Sequence, residues 1–227
     1  MKRNLLLTAL LNIVFVCIPS VAIALTPPEG LPSPCGRGAG GEASPFGGWG
    51  AVGAYVDPRI GSEGLGRTFP GPSMPFGMCK PGPDCVNMPN SGWAPMPVAV
   101  TGFSQTHVSG TGGGQKYGNI LIQPFLGKLE GVSHPQIRQS EEISLGYYKT
   151  VYENGIQTEI TTSDRCAFYR ITSPSGERGG LLVDAAHFLG EDTIIPNKRE
   201  TQQFVGSEVE IINDHEIRGY TSVRGGW

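Results

Sequence analysis

Charge is scarce in this sequence and nowhere gathered. Asp, Glu, Lys and Arg make up 16% of the 227 residues, and 17 basic side chains stand against 20 acidic ones for a formal net charge of −3. With no basic block there is no electrostatic footprint for nucleic acid or an anionic membrane, so neither is an expected partner. Amphipathic stretches of helical period longer than about two turns are also missing, which excludes a helical bundle. Among the five cysteines no CxxC occurs, nor any HxxxH pair to complete four metal ligands. Familiar catalytic signatures fail as well. Lys116 lies between Gln115 and Tyr117, so the G-K-[ST] end of a phosphate loop is absent. Ser104 sits in Gly102-Phe103-Ser104-Gln105-Thr106, which is not the G-x-S-x-G elbow of a serine hydrolase.

Apolar runs are short too. The longest, residues 5–16, follows Lys2 and Arg3, is broken by Asn12, and falls below the roughly 20 apolar residues that span a bilayer. With Ala22-Ile23-Ala24 behind it, the start reads as a secretory signal peptide over residues 1–24, cut before Leu25. A membrane anchor is not expected. A lipid-modified Cys17 would want a small residue before it, and Val16 is not one. Export would place the mature chain in a bacterial periplasm or the extracellular space, where Cys35, Cys79, Cys85 and Cys166 can oxidise. Cys79 and Cys85 bracket the turn-forming Lys80-Pro81-Gly82-Pro83-Asp84 and are the one local disulfide candidate. Two reduced thiols, one buried as a small hydrophobe, are the alternative.

What the chain has in quantity is glycine, 34 residues, and proline, 19, a composition of turns rather than of long solvated helices. Over residues 25–54 these two, with Ala and Ser, leave too little apolar area to offset ordering entropy, so this stretch reads as a flexible spacer. Residues 55–227 then form one domain. Its second half alternates or is β-branched over 118–123, 129–133, 147–153, 156–162, 167–171, 181–184, 203–205, 208–212 and 216–223, each expected as a strand. Asn154-Gly155 predicts a two-residue type I′ hairpin turn, and Pro174-Ser175-Gly176 and Asn213-Asp214 mark further reversals. The expected fold class is all-β, a large antiparallel sandwich.

Residues able to carry chemistry lie ahead of this scaffold, in loops too rich in Gly, Pro and aromatics to be plain connections. They are VDPRIGSEGLGRTFPGPSMPFGM at 56–78, SGW at 91–93 and TGFSQTHVSGTGGG at 101–114. Together with SLGYYKTVYENGIQTEITTSDRCAFYRIT at 144–172, these runs resemble, in order and spacing, the N-terminal domain of glycoside hydrolase family 92. The resemblance covers residues 55–227. It implies a galactose-mutarotase-like β-supersandwich packed on a C-terminal (α/α)6 barrel, with the active cleft between them. It further implies inverting exo-hydrolysis of α-linked mannose in glycans, with a Ca2+ ion engaging the sugar hydroxyls. Inversion needs two carboxyl groups roughly 6.5 to 9.5 Å apart. By the resemblance these groups and the calcium ligands belong to the barrel. No catalytic residue and no metal ligand is therefore expected in this chain, which alone is expected to be inactive.

Five residues are candidates for touching sugar. Trp93 fits an aromatic platform, its indole face covering the C–H face of a pyranose while its N–H donates a hydrogen bond. Arg67 stands in GRTFPG where the family often carries His, and either side chain can donate to hydroxyls. His107 and Ser109 lie in a segment resembling the family's FSHTHLSG, with Gln105 in place of a frequent His, and a structural role for His107 is the alternative. Phe69 is the fifth, and like Phe76 it also reads as packing under the loop. Two rivals to a cleft-forming domain are a free-standing carbohydrate-binding module and an incomplete gene product with no function of its own.

Overall fold

The computed structural model describes Leu5–Leu7, Val21–Ala24 and residues 55–225 apart from 88, 109–116, 129–133, 175, 191 and 197–200. Among the described residues there are twelve strands and no helix, hence none long and apolar enough to cross a membrane. One five-stranded sheet runs in the order β1 (Leu5–Leu7), β10 (Gly179–Asp184), β5 (Leu121–Leu126), β4 (Val100–Ser104) and β3 (Gly82–Cys85). The other contains β2 (Val21–Ala24), β9 (Ala167–Thr172), β8 (Gln157–Thr162), β7 (Tyr147–Tyr152) and β6 (Arg138–Ser144). A long hairpin of β11 (Gln202–Asn213) and β12 (Glu216–Gly225) forms a separate two-stranded sheet that packs on the core through Val209 and Ile217. Neighbours are antiparallel except β2, which lies parallel to β9.

Alternation decides which face of the β6–β9 meander is buried. Tyr148, Thr150 and Tyr152 of β7 turn inward while Tyr147, Lys149 and Val151 stay half-exposed, as the two-residue period of a strand requires. Ile160 of β8 and Tyr169 and Ile171 of β9 join the same face, opposite Phe103, Ile122, Leu181 and Val183 of the first sheet. Phe103 closes the two layers, meeting Tyr148 edge-on at 5.9 Å between ring centroids and Tyr169 at 6.2 Å. An all-β sandwich is thus the observed class. Each buried ring of this kind removes roughly 150–250 Å² from water.

Four local expectations need correcting. The Asn154-Gly155 turn is real but is not type I′, because Gly155 has φ +83° while Asn154 is not among the non-glycine residues with positive φ. Gly155 N donates to Tyr152 O at 2.9 Å and Tyr152 N to Ile156 O at 2.9 Å, giving a three-residue loop with a left-handed glycine at its end. Residues 203–205 and 208–212 belong to one strand, β11, kinked by a register shift between Phe204 and Gly206. Phe76 does not pack: it is fully exposed and has φ 62°.

No Cys79–Cys85 disulfide is present in this fold, where both side chains are buried. The intervening segment is strand rather than turn, and β3 alone advances about 10 Å at roughly 3.3 Å per residue. Cys79 Sγ instead lies 3.9 Å from Gln105 O, and Cys85 Sγ accepts from Ala94 N at 3.2 Å. The expected spacer at 25–54 and strand at 129–133 lie outside the described residues, as does most of the leader.

Candidate functional site

A cavity of about 450 Å³ opens where three segments meet. Asp57, Arg59, Ile60 and Glu63 come from the first loop, Trp93, Pro95 and Met96 from the second, and Glu141 from β6. The first loop is folded by its own charges. Asp57 accepts from Arg59 backbone N at 3.0 Å and from Arg59 Nε and Nη2 at 2.9 Å each, and these bonds hold its carboxyl below the usual range.

Trp93 is buried, 2% exposed, and its Nε1 donates to both carboxylate oxygens of Glu141 at 3.1 Å. Glu141 Oε1 also accepts from Arg138 Nη1 and, at 2.6 Å, from the Tyr148 hydroxyl. Arg138 reaches the other way as well, with Nη2 donating to Ala94 O at 2.6 Å and Val98 O at 2.9 Å. One buried guanidinium therefore fixes both the carboxylate and the 94–98 segment, which includes the cis Met96–Pro97 bond. Burial disfavours its cation, but the groups that face it, the hydrogen-bonded Glu141 carboxylate among them, outweigh that and keep its pKa above the ordinary value. Burial and the Glu141 charge push the Tyr148 phenol well up, so it remains an O–H donor.

The residue before Trp93 touches a second polar centre. Gly92 has φ +80°, and a Cβ there would lie 2.6 Å from His107 Nε2 and 2.7 Å from Asp84 Oδ1. Asp84 is wholly buried between two imidazoles, His107 Nε2 at 2.7 Å from Oδ1 and His187 Nε2 at 2.8 Å from Oδ2. His107 Nδ1 lies 2.9 Å from Lys80 O, which can only accept, so Nδ1 carries a hydrogen and a proton must also lie between Nε2 and Asp84. Burial alone would raise the Asp84 pKa, yet the two histidines bring it down to about 2. Ser104 Oγ is 3.3 Å from His107 Nε2, the same nitrogen that faces Asp84. A hydrolytic relay places serine and carboxylate on opposite ring nitrogens, so this is not one.

The five sequence candidates therefore do not converge. Trp93 lines the cavity, although its N–H is already engaged by Glu141. Phe69 and His107 stack on one another, ring centroids 4.6 Å apart and planes 12° apart, and both are buried away from the cavity lining. Arg67 is half-buried, with its Nε lacking a hydrogen-bond partner. Ser109 lies outside the described residues. Sequence reasoning passed over Glu141, Arg138 and His187, which carry the two polar centres. Among the described residues no group of three or more His, Cys, Asp or Glu side chains is placed to hold a metal ion.

Residues 55–227 match the Glycosyl hydrolase family 92 N-terminal domain. A protein of Arthroderma benhamiae described as an uncharacterized secreted glycosidase is 31% identical over 167 residues, 62% of this chain and 22% of that protein. The solved structure of the GH92 family glycosyl hydrolase ccman5 shares the fold, with TM-score 0.53 and 24% identity over 60% of this chain and 20% of that one. For the family GH92 inverting mannosidase of Bacteroides thetaiotaomicron the values are 0.47 and 26%, over 57% and 19%. The chain spans about a fifth of the length of the proteins it matches.

Proposed function

Because the chain belongs to glycosyl hydrolase family 92 through its N-terminal domain, we propose that residues 55–227 supply one wall of the cleft of a secreted, calcium-dependent, inverting exo-α-mannosidase. Mannose-containing glycans are the substrate class. The observation that carries this reading is the cavity, where Ile60, Pro95 and Met96 offer apolar surface, with the buried Trp93 behind it, beside three carboxylates and a guanidinium. A pyranose asks for that mixture, since its C–H face packs on apolar carbon and its hydroxyls need polar partners. This chain's residues bind and orient the sugar, and the acid and base of inversion come from a further barrel domain. Calcium, when bound there, engages the sugar hydroxyls. Exposed Ile60, Leu65, Phe76 and Met78 give the apolar surface that such a domain would cover. The basic, apolar, Ala-Ile-Ala start of the chain and the secreted relative support export, to a periplasm or the extracellular space.

The test is a pair of measurements on the 227-residue chain. A chromogenic α-mannoside with and without Ca2+ should show no release above a buffer blank, while titration with α-1,2-mannobiose followed by NMR should show weak binding. Calcium-dependent release that copurifies with the chain would overturn the placement of acid and base elsewhere. Absence of any mannobiose response would overturn the cleft itself, and tight binding would favour a free-standing carbohydrate-binding module.

A further inference from the structure

Resting on that reading, we propose that Glu141 is the hydroxyl acceptor of the cavity and makes the site select an uncharged sugar over an anionic one. Its two oxygens are unequal. Oε1 is saturated by Trp93 Nε1, Arg138 Nη1 and the Tyr148 hydroxyl, whereas Oε2 receives only a share of the indole N–H at 3.1 Å. A carboxylate has about four acceptor sites, so Oε2 keeps capacity in a residue that lines the cavity. The side chain is 6% exposed and cannot swing away to solvent.

Its charge is balanced from the protein side by Arg138, whose side chain is 0% exposed, so no cation is required from the ligand. The other lining charges point the same way. Arg59 is committed to Asp57, and Glu63 adds a further acceptor. A hydroxyl finds acceptors here, whereas a phosphate, sulfate or carboxylate on the sugar has no proton to give the acceptor-only oxygens of Glu141 and meets the negative charge of Glu63.

The experiment uses the 227-residue chain with methyl α-D-mannopyranoside and, separately, mannose 6-phosphate, following the Trp93 indole N–H and the Glu141 carboxyl carbon by NMR. In the wild type the mannoside should move both signals, and mannose 6-phosphate should bind about tenfold or more weakly. Glu141→Gln should lose about tenfold or more in mannoside affinity while the Trp93 indole keeps its folded chemical shift. If Glu141→Gln fails to fold, the carboxyl carbon of the wild type decides alone. The assignment is overturned if that carbon stays still while Trp93 responds, if Glu141→Gln binds as the wild type does, or if mannose 6-phosphate binds equally well. A wild type in which neither signal moves with the mannoside overturns the cleft reading and this inference with it.

Discussion

Asp84 and His187 stand 103 residues apart in the sequence and 2.8 Å apart in the fold, joined from Oδ2 to Nε2. Through its other oxygen the same carboxylate holds His107, so one buried group ties β3 to the segments that follow β4 and β10. Because the folded pKa, about 2, lies below the ordinary 3.8, this cluster stabilises the fold fully above about pH 4 and loses that contribution as pH falls toward 2. Melting temperature measured from neutral pH downward should drop across that window, and Asp84→Asn should flatten this part of the drop. An unchanged acid limb in the variant would refute the assignment. At neutral pH, Asp84→Ala should lose about 3–5 kcal/mol in urea unfolding, since it leaves the buried His107 and the half-buried His187 without their carboxylate.

Gly92 lies against the Asp84–His107 pair and directly precedes Trp93 of the other polar centre. Ala there must adopt φ near +80° and push its Cβ into His107 and Asp84, both under 3 Å away. Gly92→Ala should therefore destabilise by about 1–3 kcal/mol or more. Equilibrium denaturation would show it, and a change below about 0.5 kcal/mol would mean the loop relaxes freely.

Trp93 is fully packed, which sets a floor on what its removal does. Trp93→Ala should cost about 3–5 kcal/mol of folding stability and strip Glu141 of a donor, whereas Trp93→Phe should cost less. A Trp93→Ala variant as stable as the wild type would contradict the burial.

The buried thiols give a chemical check. Burial pushes Cys79 up to about 12 and Cys85 up to about 11, so neither forms much thiolate at neutral pH. Iodoacetamide should label both slowly in the native chain and quickly in guanidinium, and a non-reducing peptide map should contain no Cys79–Cys85 bridge.

Strands with clean alternation were legible, such as Tyr147–Tyr152, because one face is core and the other is wet. Gly82–Cys85 was not, since Gly-Pro reads as a turn, and only its place at a sheet edge lets Pro83 fit in a strand. Arg138–Ser144 was missed for a related reason. It is an edge strand whose one fully buried residue is an arginine, so no apolar rhythm marks it. At the site, Trp93 could be picked out as an aromatic in a glycine-rich loop. Glu141 could not, because its role comes from Trp93, Arg138 and Tyr148 converging on it in space, and His187 finds Asp84 only through the tertiary fold.

β6 to β9 follow one another directly along the chain, while β5 ends at Leu126 and its neighbour β10 begins at Gly179, with that whole meander between them. The consequence is an order of events. Short turns let the meander zip strand by strand, but β10 meets β5 only after the loop containing it has closed, and such non-local pairing is the slow kind. The sheet that carries Asp84 is thus expected to close after the meander, and that closure, which brings the segment after β10 beside β3, to set how fast His187 reaches Asp84.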